Sequence, residues 1–206
     1  NKCFNRIDSF DNTLLYRGTQ YGDVIGELIG DCQPKNAATI LQSVALLQEQ
    51  GYNITDENIR EGFAQVTKFT GLRGRWEILS TSPKVICDTG HNVGGISYTA
   101  KQISEQSENT LHIVFGMVND KDIEGVISLL PQNAKYYFTQ PSGQRAMNVE
   151  EFEAIASSHN LKGEIFKTVP EAYNNALVCA APTDTIYVGG STFVVADLLE
   201  YLENKT

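Results

Sequence analysis

From Val85 onward, short apolar runs alternate with longer amphipathic stretches, and this alternation restricts the possible folds more than any other feature of the chain. Five apolar runs are predicted to be strands, at 85–88, 111–115, 136–139, 164–166 and 186–188. Five amphipathic stretches are predicted to be helices, at 96–106, 123–130, 149–158, 170–181 and 193–203. Strands that alternate with helices in this way are typical of βαβ units. The sequence therefore predicts an α/β fold with a mostly parallel sheet flanked by helices.

The loops that follow the predicted strands carry the polar side chains most suited to binding or catalysis. Right-handed crossovers bring the carboxyl ends of parallel strands to one edge of the sheet, where ligands of open α/β folds bind. The first of these loops is the most informative, because Asp88, His91 and Asn92 supply a carboxylate, an imidazole and an amide within five residues. Asp88 either belongs to a ligand site or caps the next helix.

Two further loops at the same edge contain candidate binding residues. Lys121 lies between a strand and a helix and can bind a carboxylate or phosphate as a point charge, or simply be solvated. Ser191 follows Gly189 and Gly190 and opens the last helix, where backbone N–H groups favour an anion. Its alternative role is an N-cap on a tight turn. Arg145 is another local cation that an anionic ligand could use.

Residues 1–70 show a different pattern. Short strand and turn patterns occupy 1–30 and are expected to be too few to complete a sheet. Helices are predicted at 36–50 and after Thr55, which has the residue type of an N-cap. The stretch 68–74 contains two glycines and is predicted to be a hinge or linker.

Asn36 and Arg75 are the candidate binding residues of this first part of the chain and its linker. Asn36 opens the first predicted helix, and its amide can either cap that helix or pair with the donor and acceptor pattern of adenine. Arg75 follows Gly74, and a guanidinium beside a glycine can contact a phosphate through two N–H groups. The alternative for Arg75 is a solvated surface hinge.

Composition excludes several classes of function. The net charge of −9 argues against a nucleic-acid partner, because a basic face is what attracts the phosphate backbone. No apolar run approaches 18 residues, so no membrane contact is expected. The four cysteines are scattered and no H-x-x-x-H pair occurs, so no metal site is predicted within the chain. Scattered cysteines also fit a reducing compartment, and a cytoplasmic location is expected.

Taken in order, six short motifs resemble the carboxyl-terminal half of the folylpolyglutamate synthase/dihydrofolate synthase family, within the Mur-ligase superfamily. They cover most of the chain from about Leu28 onward. The motifs are Gln33-x-x-Asn36-Ala37-Ala38-Thr39, Thr70-Gly71-Leu72-Arg73-Gly74-Arg75-Trp76-Glu77, Asp88-x-x-His91-Asn92, Phe115-Gly116-(x)4-Lys121-Asp122, Thr139-x-Pro141-(x)3-Arg145-Ala146 and Gly190-Ser191-x-Phe193.

The resemblance implies a fold and an activity. Residues 71–206 would form the Rossmann-like carboxyl-terminal ligase domain, and residues 1–70 would be the end of an incomplete α/β ATPase domain. The family uses ATP to phosphorylate a carboxylate of folate or dihydropteroate, and the amino group of L-glutamate then attacks the acyl phosphate. A Mur ligase that acts on peptidoglycan precursors and a stand-alone nucleotide-binding module are the alternatives.

The resemblance also implies roles for single residues. Asn36, Arg75 and Asp88 map onto nucleotide contacts, and His91 maps onto the catalytic centre, where nucleotide and incoming amino acid meet. Lys121 and Ser191 map onto the glutamate-binding side of the cleft.

One departure from the family concerns the phosphate-binding part. The family's glycine-rich phosphate loop and its ligands for Mg²⁺ belong to an amino-terminal ATPase domain, and no G-x-x-x-x-G-K-[ST] motif occurs in this chain. We therefore expect this chain to be a fragment that lacks the ATPase domain, to be inactive alone and to be a monomer.

Overall fold

The computed structural model describes residues 3–106 and 109–205. The chain divides into two compact units, Asn1–Arg75 and Trp76–Thr206. The boundary predicted from the sequence lies slightly earlier, after residue 70.

A small antiparallel sheet opens the first unit. Its strands are β1 (Arg6–Phe10), β2 (Thr13–Thr19) and β3 (Gly22–Gly26), with β2 in the centre. Asp11 and Asn12 make the two-residue turn between β1 and β2 with φ values of 44° and 56°, which suit a primed hairpin turn. The expectation that residues 1–30 hold too few strands for a sheet is therefore wrong, because tight turns let three short strands pair with one another.

Three helices follow in the first unit: α1 (Gln33–Glu49), α2 (Asp56–Ala64) and α3 (Val66–Thr70). Helix α1 begins three residues earlier than the 36–50 prediction, since Pro34 is tolerated in a first helical turn. Thr55 caps α2 as predicted, in a capping box with Asn58. The predicted hinge at 68–74 is partly wrong, because α3 continues to Thr70 and ends at Gly71 with a φ of 67°.

A six-stranded sheet forms the centre of the second unit. Its strands are β4 (Glu77–Thr81), β5 (Lys84–Asp88), β6 (Leu111–Phe115), β7 (Lys135–Thr139), β8 (Gly163–Phe166) and β9 (Thr185–Gly189). Their order is β4-β5-β9-β6-β7-β8, and every pair is parallel except β4 with β5. The five predicted strands are confirmed. Strand β4 was not predicted, because this half-buried edge strand lacks a clear apolar alternation.

Five helices cover the two faces of this sheet: α4 (Val93–Gln106), α5 (Ile123–Ile127), α6 (Val149–Ser158), α7 (Val169–Cys179) and α8 (Thr192–Glu203). Phe152 of α6 stacks on Phe115 and packs edge-to-face against Phe138 at one face. Helices α7 and α8 pack on the opposite face, around Val114 and Val188. The connections through α4, α5 and α6 all lead towards the β8 end of the sheet. Because such connections are right-handed, α4 and α5 lie on the same face as α6.

The predicted fold class is confirmed, since helices cover both faces of a mostly parallel sheet. In the described part of the chain, none of the helices combines the length and apolarity needed to cross a bilayer.

A buried polar cluster lies at the amino-terminal edge of this sheet. His112 is fully buried, with Nε2 3.3 Å from Asp184 Oδ2 and Nδ1 3.0 Å from the Tyr137 hydroxyl. A carboxylate only accepts hydrogen bonds, so Nε2 of neutral His112 carries the proton and Nδ1 accepts from Tyr137. Burial lowers the pKa of His112, Lys135 acts in the same direction, and Asp184 opposes them.

This cluster should make stability depend on pH. Folded His112 takes up its proton at lower pH than unfolded histidine, whose ordinary pKa is 6.5. The contribution of His112 to the free energy of unfolding is therefore complete above pH 6.5 and declines below it. The slope for one proton is at most about 1.4 kcal/mol per pH unit. The free energy of unfolding measured with urea should be lower at about pH 5.5 than at about pH 7.5, and His112→Gln should reduce this difference.

Candidate functional site

The candidate site lies at the carboxyl ends of β5, β9 and β6. Asp88 of β5 and Phe115 of β6 are both in register with Gly189 of β9, so the three strands end side by side. The chain leaves β5 and β6 for helices on one face, and it leaves β9 for α8 on the other face. Such a divergence between neighbouring strands separates their loops and creates the usual ligand site of an open α/β sheet. The loops that carry Asp88, His91, Lys121 and Ser191 all start at this edge.

Two backbone amides hold the Asp88 carboxylate. The amide of Trp76 donates to Oδ2 at 2.8 Å, and the amide of Gly90 donates to Oδ1 at 2.8 Å. The side-chain cap of α4 is Asn92, whose Oδ1 accepts from the Gly95 amide at 2.8 Å. The helix therefore has its cap without Asp88, and the capping alternative for Asp88 loses its basis.

His91 is half-buried and has a defined tautomer when neutral. Its Nδ1 lies 3.0 Å from the carbonyl oxygen of Thr89. A carbonyl oxygen can only accept, so Nδ1 carries the hydrogen and Nε2 presents a lone pair. This arrangement can accept a hydrogen bond from an amine.

Close backbone approach explains the glycines around the end of β9. A β-carbon on Gly190, whose φ is 97°, would lie 2.6 Å from the carbonyl oxygen of Gly116. A β-carbon on Gly116 would lie 2.3 Å from the carbonyl oxygen of Thr139. Ser191 then caps α8, with its hydroxyl accepting from the Val194 amide at 3.1 Å, and it is 1% exposed. The capping role is thus present, while a contact between Ser191 and a ligand stays a prediction.

Lys121 belongs to a small group of charges. Its Nζ lies 4.0 Å from Asp120 Oδ2, and the same oxygen accepts a hydrogen bond from Arg145. Partial desolvation acts to raise the pKa of Asp120, but Arg145, with the charge of Lys121, holds it below its ordinary value. Two cations, Lys121 and Arg145, thus lie beside the Asp120 carboxylate, and a second carboxylate, Asp122, follows in the same loop.

The structure also adds residues that sequence reasoning left outside the site. The loop after β6 and the loop after β7 pair through an isolated bridge between Val118 and Ala146, which brings Arg145 beside Lys121. The Arg145 guanidinium lies 5.8 Å from the ring centre of Phe193, at the start of α8. Arg145 was already a candidate cation from the sequence, whereas the Asp120 and Phe193 contacts depend on tertiary structure.

Asn36 and Arg75 belong to the first unit. Asn36 is exposed within the first turns of α1, and its amide donates to Gln33 Oε1 at 3.1 Å. The N-cap position of α1 is Cys32, so the capping alternative for Asn36 is wrong. Arg75 is exposed and is the last residue of the first unit, next to Gly74 with a φ of 70°.

Metal binding was tested against the donor side chains. Within residues 3–106 and 109–205, no group of three His, Cys, Asp or Glu side chains is arranged to hold a metal ion.

Comparison with known proteins identifies the family. Residues 74–192 match the family described as Mur ligase, glutamate ligase domain. The match spans more than half of the chain, and the chain belongs to this family.

Among individual proteins, the chain is similar to bacterial folate enzymes. It is 32% identical to the dihydrofolate synthase/folylpolyglutamate synthase of Escherichia coli over 172 residues, which are 82% of this chain and 38% of that protein. It is 30% identical to the Mycobacterium tuberculosis protein of the same name over 137 residues, which are 65% of this chain and 27% of that protein. The chain thus spans less than half the length of these relatives.

Solved structures show the same fold. E. coli FolC in complex with DHPP and ADP has a TM-score of 0.75 and 28% identity, and the match covers 97% of this chain and 46% of that chain. Folylpolyglutamate synthase of M. tuberculosis complexed with ADP has a TM-score of 0.79 at 23% identity, with 97% and 47% covered, which is a likeness of fold.

The geometry of Asp88 predicts an effect on stability. Asp88→Asn should lower the free energy of unfolding by about 1–3 kcal/mol, because one amide oxygen cannot replace two carboxylate oxygens for two backbone donors. Chemical denaturation of the chain measures this. Asp122→Asn is the matched control, since Asp122 Oδ1 accepts the Gly125 amide as the N-cap of α5 and Asn caps equally well. Equal losses in the two variants would contradict the role assigned to the Asp88 carboxylate.

Proposed function

We propose that this chain is the carboxyl-terminal part of an ATP-dependent ligase that adds L-glutamate to folate or dihydropteroate through an acyl phosphate. The observation that carries the proposal is a glutamate ligase domain in which the loops of a held carboxylate, an oriented imidazole and Lys121 start at one edge of the sheet. The E. coli relative, solved with DHPP and ADP, supports these substrate classes.

Nucleotide binding is assigned to Asn36, Arg75 and Asp88. The Asn36 amide offers the donor and acceptor that adenine requires. The Arg75 guanidinium suits a phosphate oxygen pair, and it is exposed. A carboxylate only accepts hydrogen bonds, so Asp88 is chemically suited to a ribose hydroxyl donor.

Glutamate binding is assigned to the Lys121 and Ser191 loops. Glutamate carries two carboxylates, and Lys121 with the amino-terminal turn of α8 supplies complementary positive charge. The Nε2 lone pair of His91 would accept a hydrogen bond from the amino group of glutamate. This hydrogen bond would orient the amine so that the lone pair on its nitrogen faces the acyl phosphate.

The remaining chemistry is assigned to an amino-terminal ATPase domain, which would supply the phosphate loop and the ligands for Mg²⁺. The relatives are more than twice as long as the part that this chain matches, which leaves room for such a domain. A monomeric, cytoplasmic enzyme completes the proposal.

The chain alone should neither hydrolyse ATP nor ligate glutamate. Without a phosphate loop and metal ligands, the transferred phosphoryl group lacks the electrostatic stabilisation that its transition state requires. Phosphate release and glutamate incorporation with folate, ATP and Mg²⁺ measure this directly. Turnover by the purified chain that Asp88→Asn abolishes would contradict the assignment of phosphoryl chemistry to another domain.

Lys121→Ala and Arg75→Ala should affect different substrates of the complete ligase. Removal of one charged hydrogen bond costs about 1.5–3 kcal/mol. Lys121→Ala should therefore raise the KM for glutamate by about tenfold or more and leave the KM for ATP unchanged. Arg75→Ala should show the reverse pattern. Steady-state kinetics with each substrate varied in turn measure both, and equal effects on the two substrates would place glutamate elsewhere.

A further inference from the structure

Arg145 lies where three loops of the second unit meet. It belongs to the loop after β7, and its guanidinium donates a hydrogen bond to Asp120 in the loop after β6. The guanidinium also lies 5.8 Å from the ring centre of Phe193, which follows Ser191 at the start of α8. One side chain therefore joins the two loops to which glutamate binding is assigned.

The loop that carries Arg145 is held on both sides. The amide and the hydroxyl of Ser142 donate to the two carboxylate oxygens of Asp197 in α8, at 2.7 and 2.6 Å. The carbonyl oxygen of Arg145 accepts from the amide of Asn119, in the loop after β6, at 3.0 Å. A cation on a backbone that is already held loses less conformational freedom when it binds a ligand, and this favours binding.

The guanidinium has donors that a ligand can reach. Arginine carries five N–H donors in a planar fork, and the hydrogen bond to Asp120 is made by one terminal nitrogen. The Arg145 side chain is 58% exposed, so the other N–H groups are accessible to a ligand. The same Asp120 oxygen lies 4.0 Å from Lys121 Nζ, which places the two cations close together. Glutamate carries two carboxylates, and Lys121 can pair with one of them.

The carboxylates of this loop do not prevent an anion from binding. The ion pair between Arg145 and Asp120 is exposed, and exposed ion pairs contribute little free energy. Asp120 therefore orients the guanidinium while a ligand carboxylate can still pair with it. Asp122 has a separate role, because its Oδ1 accepts from the Gly125 amide as the N-cap of α5.

We propose that Arg145 binds one of the two carboxylates of the incoming glutamate and makes the ligase selective for this amino acid over its amides. Lys121 binds the other carboxylate. The inference rests on the proposed glutamate site and adds a specificity-determining residue to it. A guanidinium fork matches the two charged oxygens of a carboxylate, whereas an amide offers one neutral oxygen and a competing N–H₂ group. A site built for the carboxylate therefore rejects the amide.

The test compares Arg145→Ala and Arg145→Lys in the complete ligase. Arg145→Ala should raise the KM for glutamate by about tenfold or more and leave the KM for ATP unchanged, because a charged hydrogen bond to glutamate is lost. Arg145→Lys keeps the charge without the planar fork, so its KM for glutamate should lie between those of the wild type and Arg145→Ala. Ser142→Ala is the matched control. It removes a hydrogen bond that holds the same loop but no cation, and it should leave the KM for glutamate unchanged.

Two substrate analogues separate a direct contact from a disturbed loop. Glutamine and the α-amide of glutamic acid each replace one carboxylate by an amide. Arg145→Ala should reduce the preference for glutamate over one of these analogues by about tenfold, because the cation that favours the carboxylate is gone. Preference is measured as the ratio of kcat/KM values, or of inhibition constants where an analogue is not a substrate. An unchanged preference over both analogues overturns the contact, as does an equal rise of the KM for glutamate in Ser142→Ala.

The outcomes also separate this inference from the proposed function. Lys121→Ala is measured alongside. If neither Lys121→Ala nor Arg145→Ala changes the KM for glutamate, the proposed glutamate site is wrong and the inference fails with it. An effect of Lys121→Ala alone removes only the role of Arg145. If Arg145→Ala does not fold, Arg145→Gln is measured by the same criteria.

Discussion

The parallel pairing of β9 with both β5 and β6 is the constraint on which the second unit depends. The last strand of the chain enters between two earlier strands and aligns Gly189 with Asp88 on one side and Phe115 on the other. This register fixes where three loops start. Helix α8 follows β9 on the face opposite α4 and α5, which makes this edge the topological switch point of the sheet. The glycines at 116 and 190 follow from it, since the strand ends come too close for a β-carbon.

Local pattern was sufficient to predict most elements, and long-range contacts explain what was missed. The five parallel strands and their helices were recognisable because each buried strand is a continuous apolar run and each helix has an apolar face. The position of β9 in the order could not be predicted, since its partners lie far away in sequence. Strand β4 was missed because it is a half-buried edge, and the small sheet of the first unit because its pairing depends on the turn at Asp11 and Asn12.

The candidate site shows the same division between local and long-range information. The loops of Asp88, His91, Lys121 and Ser191 were expected at one edge, and they start there. What the sequence could not supply is the hydrogen-bond partners: the Trp76 amide on Asp88, the Val194 amide on Ser191 and the shared Asp120 beside Lys121. Helices begin at the same edge where ligands bind, so residues there are available both as caps and as contacts. For Ser191 the capping role is visible, and its ligand role remains a prediction.

The place of β9 in the sequence has a consequence for biosynthesis. Until residues 185–189 have left the ribosome, β5 and β6 lack the strand that separates them, and each exposes an unpaired backbone edge. The centre of the sheet therefore forms last, by closing two long loops at once, which is a slow step in folding. A nascent chain that stalls shortly before Thr185 contains almost every predicted site residue and yet lacks the strand that joins β5 to β6. The candidate site of this unit can therefore form only after β9 has been synthesised. Until then, a chaperone would have to cover the unpaired edges of β5 and β6.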